Sequence, residues 1–169
     1  MPDDMDGRFL DDETLARRAG RGETAAFAEL VTRWWVPISH LAWSVLGNVP
    51  EAVAVAEETF LASVPRAGPS RVPIRISLYR LALRLSLARR RSPSRAGGRK
   101  ARMDEALGQL EDLDLAALVL RDVQLFSLHE AAAILETPAD EVRARVHRAW
   151  LFLARLLEAR KGHPGLPSA

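Results

Sequence analysis

The stretch Ser127–Arg148, SLHEAAAILETPADEVRARVHR, contains two helix-start signals separated by a very short turn. Ser127 and Glu130 fit a capping box, in which the hydroxyl accepts from an orphan amide and the carboxylate reaches back to the cap. Thr137 and Asp140 repeat the spacing of this capping box. Pro138 then falls at the first helical position, where its missing N–H costs nothing and its fixed φ suits a helix. The stretch therefore predicts a helix-turn-helix.

The second of these helices has an apolar side and a basic side. Its apolar residues recur at helical spacing, which predicts an inward-facing stripe of Val142, Val146, Ala149, Leu153 and Leu156. In a DNA-binding helix-turn-helix the start of the second helix enters the major groove, where arginine pairs with guanine or anchors phosphate. The alternative is an ordinary helical hairpin with a solvated basic face. The paired caps favour DNA binding, and the candidate contact residues are Arg143, Arg145, His147 and Arg148.

Composition limits the fold class and the kinds of site. The chain has 169 residues, 48% of them hydrophobic, which is enough for one domain or two small ones. β-branched residues are sparse and strand-like alternation is weak, so we predict an all-α fold. The absence of cysteine excludes disulfides and thiolate metal sites, and no apolar run is long enough to span a bilayer. We expect a cytoplasmic protein with no membrane insertion.

Charge is segregated along the chain, although the formal net charge is only +2. Every charged residue between Glu58 and Asp104 is arginine or lysine, a pattern that favours polyanionic partners. A helix is predicted in this block from Ile74 to Arg91, with a buried row of Ile74, Leu78, Leu81 and Leu85. A nucleic-acid backbone could run along a second stripe, because a merely solvated face normally mixes both signs of charge. That stripe contains Ser77, Arg80, Arg84, Ala88 and Arg91.

Three further helices are predicted in the N-terminal part. Asp12 is expected to cap the first, and Thr24 to cap the second, which Pro37 should kink before Gly47 ends it. The third restarts at Pro50.

No catalytic constellation is present. Glu57 and Glu58 have no histidine, lysine or further acid at a spacing suited to acid–base work, so the pair is interpreted as a solvated or partner-facing patch. The four histidines are scattered, and there is no glycine-rich phosphate loop. We predict no enzymatic activity, cofactor or metal site.

The chain is predicted to divide into two small helical domains joined by a flexible basic linker. Pro93, Gly97 and Gly98 oppose continuation of the basic helix, which places the linker directly after it. The predicted parts are a disordered start at 1–10, a first domain at 11–92, the linker at 93–103, a second domain at 104–162 and a disordered tail at 163–169.

Taken in order, these residues resemble a bacterial RNA polymerase sigma factor of the extracytoplasmic function (ECF) group over about residues 11–160. FAELVTRWWVPISHLAWSVLGN is similar to the start of that family's promoter-melting domain, and AEETFL to its core-binding helix. ISLYRLALRLSLARRR resembles the helix that reads the minus-ten element. LVLRDVQLFSLHEAAAILETPADEVRARVHRAWLFL resembles the domain that reads the minus-thirty-five element, and this last match is the most specific.

The resemblance implies two helical domains that together bind promoter DNA and the β and β′ subunits of RNA polymerase core, and an anti-sigma partner. It implies minus-thirty-five contacts by Arg143, Arg145, His147 and Arg148. The residues implied at the minus-ten strand are Tyr79, Arg80, Arg84 and Arg91, and those implied at core polymerase are Glu57, Glu58 and Phe60.

Several positions depart from the family pattern. Ala52–Val55 replaces the usual acidic cluster before the core-binding motif, and Ser77, Arg84 and Ala88 replace the usual Trp, Asn and Asp of the minus-ten helix. Leu125 replaces the glycine before the helix-turn-helix. These departures leave open an alternative, a sigma-like DNA-binding regulator or adaptor that no longer initiates transcription by itself.

Overall fold

A computed structural model describes residues 10–63, 72–91 and 107–161, with the backbone alone at 91, 160 and 161. These parts contain helices and no strand, which confirms the all-α prediction. The helices are α1 (Asp12–Gly20), α2 (Thr24–Leu46), α3 (Val49–Ser63), α4 (Ile74–Arg91), α5 (Asp112–Leu118), which continues into a π-helical turn (Val119–Val123), α6 (Leu128–Leu135) and α7 (Ala139–Lys161).

Some predictions concern parts of the chain that lie outside these residues. They are the disordered start apart from Leu10, the linker at 93–103, the tail at 163–169 and the side chain of Arg91.

Two of the predicted helix caps are wrong by one residue. The carboxylate of Asp11, not Asp12, accepts from the Thr14 amide at 2.9 Å, because Asp12 already lies in the first turn and pairs with Arg33. Thr24 does not cap α2. The N-cap is Glu23, whose carboxylate is held by Arg18 at the end of α1 and makes no capping bond. An ion pair thus joins the two helices where a local cap was expected.

The helices α1–α4 share a core. Helix α2 continues through Pro37 and ends at Gly47, whose φ of 62° is the left-handed conformation that glycine adopts without strain. In the predicted row of α4, Ile74 and Leu78 are buried, whereas Leu81 and Leu85 are only partly buried. The helix packs on α2 and α3 and also on α6, so other sides of it are buried as well. Its buried residues are Ile74, Ile76, Leu78, Tyr79, Ala82, Leu83 and Ser86.

The C-terminal helices form the predicted helix-turn-helix. Ser127 and Glu130 make a complete capping box, with the Glu130 amide donating to the Ser127 hydroxyl at 3.2 Å. The bonds from the Ser127 amide and hydroxyl lower the pKa of Glu130, so its carboxylate stays ionised. The predicted stripe of α7 packs inward: Val142, Ala149 and Leu153 are buried, and Val146 and Leu156 are partly buried against the core.

Leu125 lies in the left-handed region with a φ of 57°, and 80% of its surface is exposed. Such a φ costs a residue with a Cβ about 1–2 kcal/mol, and glycine avoids that cost but loses about 0.5–1 kcal/mol of chain entropy. Leu125→Gly should therefore raise the free energy of unfolding by about 0.5–1 kcal/mol in urea denaturation. Leu125→Ala keeps the strained φ and serves as the control. A stabilised alanine variant would show that the side chain, not the backbone, is responsible.

Candidate nucleic-acid interface

The first half of α7 presents three basic side chains to solvent. Arg143, His147 and Arg148 are exposed, and Arg143 pairs with Asp140 on the same helix, at 3.3 Å. An i,i+3 pair between exposed groups is weak, so the Arg143 guanidinium is available to a ligand. Arg148 donates to Asp114 at 3.1 Å and to Glu141 at 3.3 Å.

Arg145 differs from its neighbours in exposure. Its side chain is 19% exposed, against 68% for Arg143. The guanidinium lies 3.3 Å from Asp114 and 3.0 Å from Glu141. The pair with Asp114 links α7 to α5, so Arg145 helps to position α7 and the exposed arginines on it.

Asp114 is the charged centre of this arrangement. It is 6% exposed and accepts from both Arg145 and Arg148. A buried carboxylate is tolerated only when charge and hydrogen bonds compensate for lost solvation, and two guanidinium groups supply both. The hydrogen bond that Arg148 donates to Asp114 raises the pKa of Arg148 above its usual value. The sequence motif did not identify Asp114, since nothing in its local pattern distinguishes it from Asp112.

The arginines predicted for the minus-ten strand lie against the C-terminal helices. Arg80 is within 3.0 Å of the Glu136 carboxylate and donates to the Ala133 carbonyl at 2.6 Å. Arg84 is 3.1 Å from the other oxygen of Glu136. The structure thus brings Arg80 and Arg84 together, but their shared partner is the carboxylate of Glu136, in the turn of the helix-turn-helix.

Tyr79 lies in the same contact between α4 and the C-terminal helices. Its ring meets Phe126 edge to face, with 4.6 Å between centroids, and its hydroxyl donates to Gln124 at 3.4 Å. Burial raises its pKa above the ordinary value. In this arrangement the buried Tyr79 ring packs between α4 and the C-terminal helices, so it is not available to stack on a base.

The residues predicted to bind core polymerase divide between surface and core. Glu57 and Glu58 are exposed on α3, and Glu58 accepts from Arg89 at 2.6 Å. Phe60 is buried and stacks on Trp35, with 6.2 Å between ring centroids. Leu61 lies beside the glutamates and is 70% exposed, although the apolar spacing of this helix predicts it on the buried side.

Two further arginines of α4 reach the C-terminal part. Arg75 pairs with Glu130 at 2.9 Å and lies 4.4 Å above the Phe126 ring. Arg90 pairs with Asp112 and donates to the carbonyls of Leu107, Gly108 and Leu110. The arginine block was apparent in the sequence, but its acidic partners were not, because they are distant along the chain.

Within the described residues no group of histidine, aspartate and glutamate side chains could hold a metal ion, and no helix is long and apolar enough to cross a membrane. No known protein-family profile matches the chain, and no curated protein matches it.

Solved structures do match it. The chain is similar to CnrH, solved in complex with the cytosolic domain of CnrY: the two are 30% identical, with a TM-score of 0.75, and the match covers 88% of this chain and 97% of CnrH. It is also similar in fold to the sigma factor RpoE of Bartonella quintana, solved with the anti-sigma factor NepR. That match has 19% identity and a TM-score of 0.61, and covers 78% of this chain and 96% of RpoE.

An identity of 30% over nearly all of CnrH, together with the helix-turn-helix and its basic face, defines the class of protein. The chain belongs to the ECF sigma factors of the sigma-70 family.

Proposed function

We propose that this protein directs RNA polymerase core to specific promoters and so initiates transcription. The observation that carries the proposal is the capped helix-turn-helix, whose second helix exposes Arg143, His147 and Arg148, in a chain of the ECF family. In this proposal these three residues meet the minus-thirty-five element in the major groove. Arg145 holds the helix in place through Asp114.

The N-terminal helices supply the second contact with the promoter. Arg80, Arg84 and Arg91 hold the opened minus-ten strand, and Tyr79 supports α4 from its buried side. The shared core of α1–α4 supports a first domain at 11–92, and the packing of α5–α7 supports a second at 104–162, joined by the basic linker at 93–103.

Core polymerase is proposed to bind at α3. Glu57 and Glu58 present charge there, and Phe60 fixes the helix from the inside. The protein carries out no reaction of its own in this proposal, in keeping with related sigma factors, which are not enzymes, and it requires no cofactor.

An anti-sigma factor is the proposed regulator. The structures of CnrH with the cytosolic domain of CnrY and of RpoE with NepR support this partner. The C-terminal half of α7 also leaves large apolar side chains exposed, which suits contact with another protein. They are Trp150, Leu151, Phe152 and Leu157.

The second candidate is a sigma-like DNA-binding regulator that does not initiate transcription by itself. It is favoured by two observations on the N-terminal helices: α3 has no acidic residue at Ala52–Val55, and Arg80 and Arg84 are both paired with Glu136. Retention of purified core polymerase on the immobilised protein separates the two candidates. Binding of promoter duplex without retention of core would favour the regulator.

Arg143 and Arg145 are predicted to act differently although both are arginines of α7. Arg143→Ala should weaken promoter affinity by about 1–3 kcal/mol and relax specificity at one base pair, while leaving thermal stability unchanged. Arg145→Ala should lower the melting temperature, because it leaves part of the Asp114 charge uncompensated. Titration of labelled promoter duplex and thermal unfolding measure the two effects. An equal loss on every DNA sequence would reassign Arg143 to a phosphate.

A further inference from the structure

Arg143 and Arg148, the two exposed arginines in the first half of α7, lie on different sides of the helix. They are five residues apart, and at 3.6 residues per turn this separates them by about 140° around the helix axis. His147 lies only about 40° from Arg143. Arg143 pairs with the exposed carboxylate of Asp140, and an exposed pair of this kind is weak. The Arg143 guanidinium can therefore turn two donors toward a base.

The guanidinium of Arg148 is held along one edge by Asp114. Nε donates to one carboxylate oxygen at 3.3 Å, and Nη2 donates to the other at 3.1 Å. Asp114 is buried on α5 and also accepts from Arg145, which fixes the position of its carboxylate. This two-point contact occupies the Nε–Nη2 edge, which is one of the two pairs of parallel donors that an arginine can offer.

Glu141 engages the same nitrogen from another direction. Its Oε1 accepts from Nη2 of Arg148 at 3.3 Å and lies 3.0 Å from Nη2 of Arg145. The second pair of parallel donors, Nη1 and Nη2, therefore also has one member engaged. Within the described residues, Nη1 is the only nitrogen of this guanidinium without a hydrogen-bond partner. Arg148 thus presents the donors of a single nitrogen to solvent.

The number of free donor atoms decides what an arginine can recognise on duplex DNA. Guanine is distinguished in the major groove by two acceptors, O6 and N7, which take two parallel bonds from one guanidinium. A phosphate oxygen needs only one donor nitrogen and a positive charge. Arg143 can meet the first requirement, whereas Arg148 meets only the second while Asp114 and Glu141 hold it.

We propose that Glu141 is a specificity-determining residue of the helix-turn-helix: together with Asp114 it restricts Arg148 to a phosphate contact and leaves base reading to the Arg143 side of α7. Glu141 acts through Arg148 and is a positioning residue, since it needs no contact with DNA. This assignment rests on the proposed function, because the ligand is promoter duplex. Removal of Glu141 should free the Nη1–Nη2 pair and allow Arg148 to read guanine.

Selection of bound sequences from a randomised DNA duplex library tests these contacts. Arg143→Ala should lose the preference that the wild-type protein shows at one base pair. Arg148→Ala should bind every selected sequence more weakly by the same factor, within about twofold, and its salt slope should fall by about one. Its sequence preference should be unchanged. Circular dichroism confirms that each variant is folded.

Glu141→Ala provides the sharper test, because it should add a preference, and because Asp114 also stabilises the fold. With Nη2 released, Arg148 should enrich guanine about fivefold or more at a base pair that the wild-type protein does not discriminate. Glu141→Ala combined with Arg148→Lys should lose the new preference and keep the salt slope, because an ammonium carries the charge without the parallel donors. A merely structural effect of Glu141 would not respond to this exchange.

Asp140→Ala is the matched control. It removes an exposed carboxylate from the same turn of α7, but one that pairs with Arg143. The lost negative charge should tighten binding on every sequence similarly in the two variants, and Asp140→Ala should add no guanine preference. An unchanged preference in Glu141→Ala, or a relaxed preference at one base pair in Arg148→Ala, would overturn the proposal. Loss of an existing preference in Glu141→Ala would also overturn it, because Glu141 would then read a base itself.

The selection is run with the full chain alone and with its complex with purified core polymerase. The preferences of the helix-turn-helix should be the same in both. Failure of the complex to form or to transcribe, with the expected preferences in the chain alone, would contradict the proposed function but support the contact assigned to Arg148. Failure of both forms to enrich any sequence would overturn that contact together with promoter recognition.

Discussion

Replacement of Phe126 by alanine is expected to lower the free energy of unfolding by about 3–5 kcal/mol, the range found when a buried aromatic side chain leaves a cavity. Phe126 is buried at the centre of the contact between the N-terminal and C-terminal helices. Its ring receives the edge of Tyr79, and the Arg75 guanidinium lies 4.4 Å from its centroid. The substitution therefore removes apolar area, an aromatic pair and a cation–π contact together.

Urea denaturation followed by circular dichroism measures this loss. Phe152→Ala is the matched control, because it makes the same chemical change on α7 at an exposed position. The control should lose less than about 1 kcal/mol, as is usual for surface substitutions. Similar losses in the two variants would contradict the central packing of Phe126.

Asp114→Ala is expected to lower the free energy of unfolding by about 2–4 kcal/mol. Removing one member of a fully buried ion pair costs about 3–5 kcal/mol, because the remaining charge is left without compensation. The value here should be smaller, since Arg148 is half exposed and regains water. Arg145 is the more buried partner and accounts for most of the loss. Asp114→Asn should show a similar loss, because it keeps the volume of the side chain but not its charge.

Asp140→Ala provides the control for Asp114. Asp140 is exposed and its pair with Arg143 is also exposed, so its removal should change stability by less than about 0.5 kcal/mol. Thermal unfolding of Asp114→Ala, Asp114→Asn and Asp140→Ala in parallel compares the loss of a buried carboxylate with the loss of an exposed one. A loss at Asp140 as large as at Asp114 would show that general charge balance, not the buried network, decides stability.

The parts of the fold that follow from local signals were predicted well. The capping box at Ser127 and the apolar periodicity of α7 place the helix-turn-helix, and the bounds predicted for the basic helix agree with α4. Each of these features depends on residues within a few positions of one another. The caps predicted at Asp12 and Thr24 were wrong. Asp11 makes the capping hydrogen bond of α1, and Glu23, the N-cap of α2, is held in an ion pair by Arg18.

The contacts between distant parts of the chain could not be predicted. The apolar spacing of α4 indicates one buried side of the helix. The second buried side, which includes Tyr79, packs on Phe126, which is distant in the sequence, so the spacing alone does not indicate it. No local signal in the sequence marks Glu136, which pairs with two arginines of α4. Leu125 replaces the glycine usual at this position in the family pattern, and the structure shows it in the conformation that glycine favours.

The candidate site was predicted in part. The sequence identified a basic second helix, but only the packing separates exposed Arg143 from Arg145, which is tied to Asp114. Their positions on either side of the apolar stripe look equivalent in the sequence. The difference comes from Asp114 on α5, and helical periodicity alone does not show that this carboxylate lies beside Arg145.

Run-off transcription with purified core polymerase from the source organism tests whether this protein initiates transcription at specific promoters. Transcripts from a small set of genomic promoters are expected with the wild-type protein, and these transcripts should be lost when Arg143 and Arg148 are both replaced by alanine. The double variant should still retain core polymerase, because its N-terminal helices are unchanged. The absence of any transcript from genomic templates, together with no association with core, would show that this protein does not act as a sigma factor.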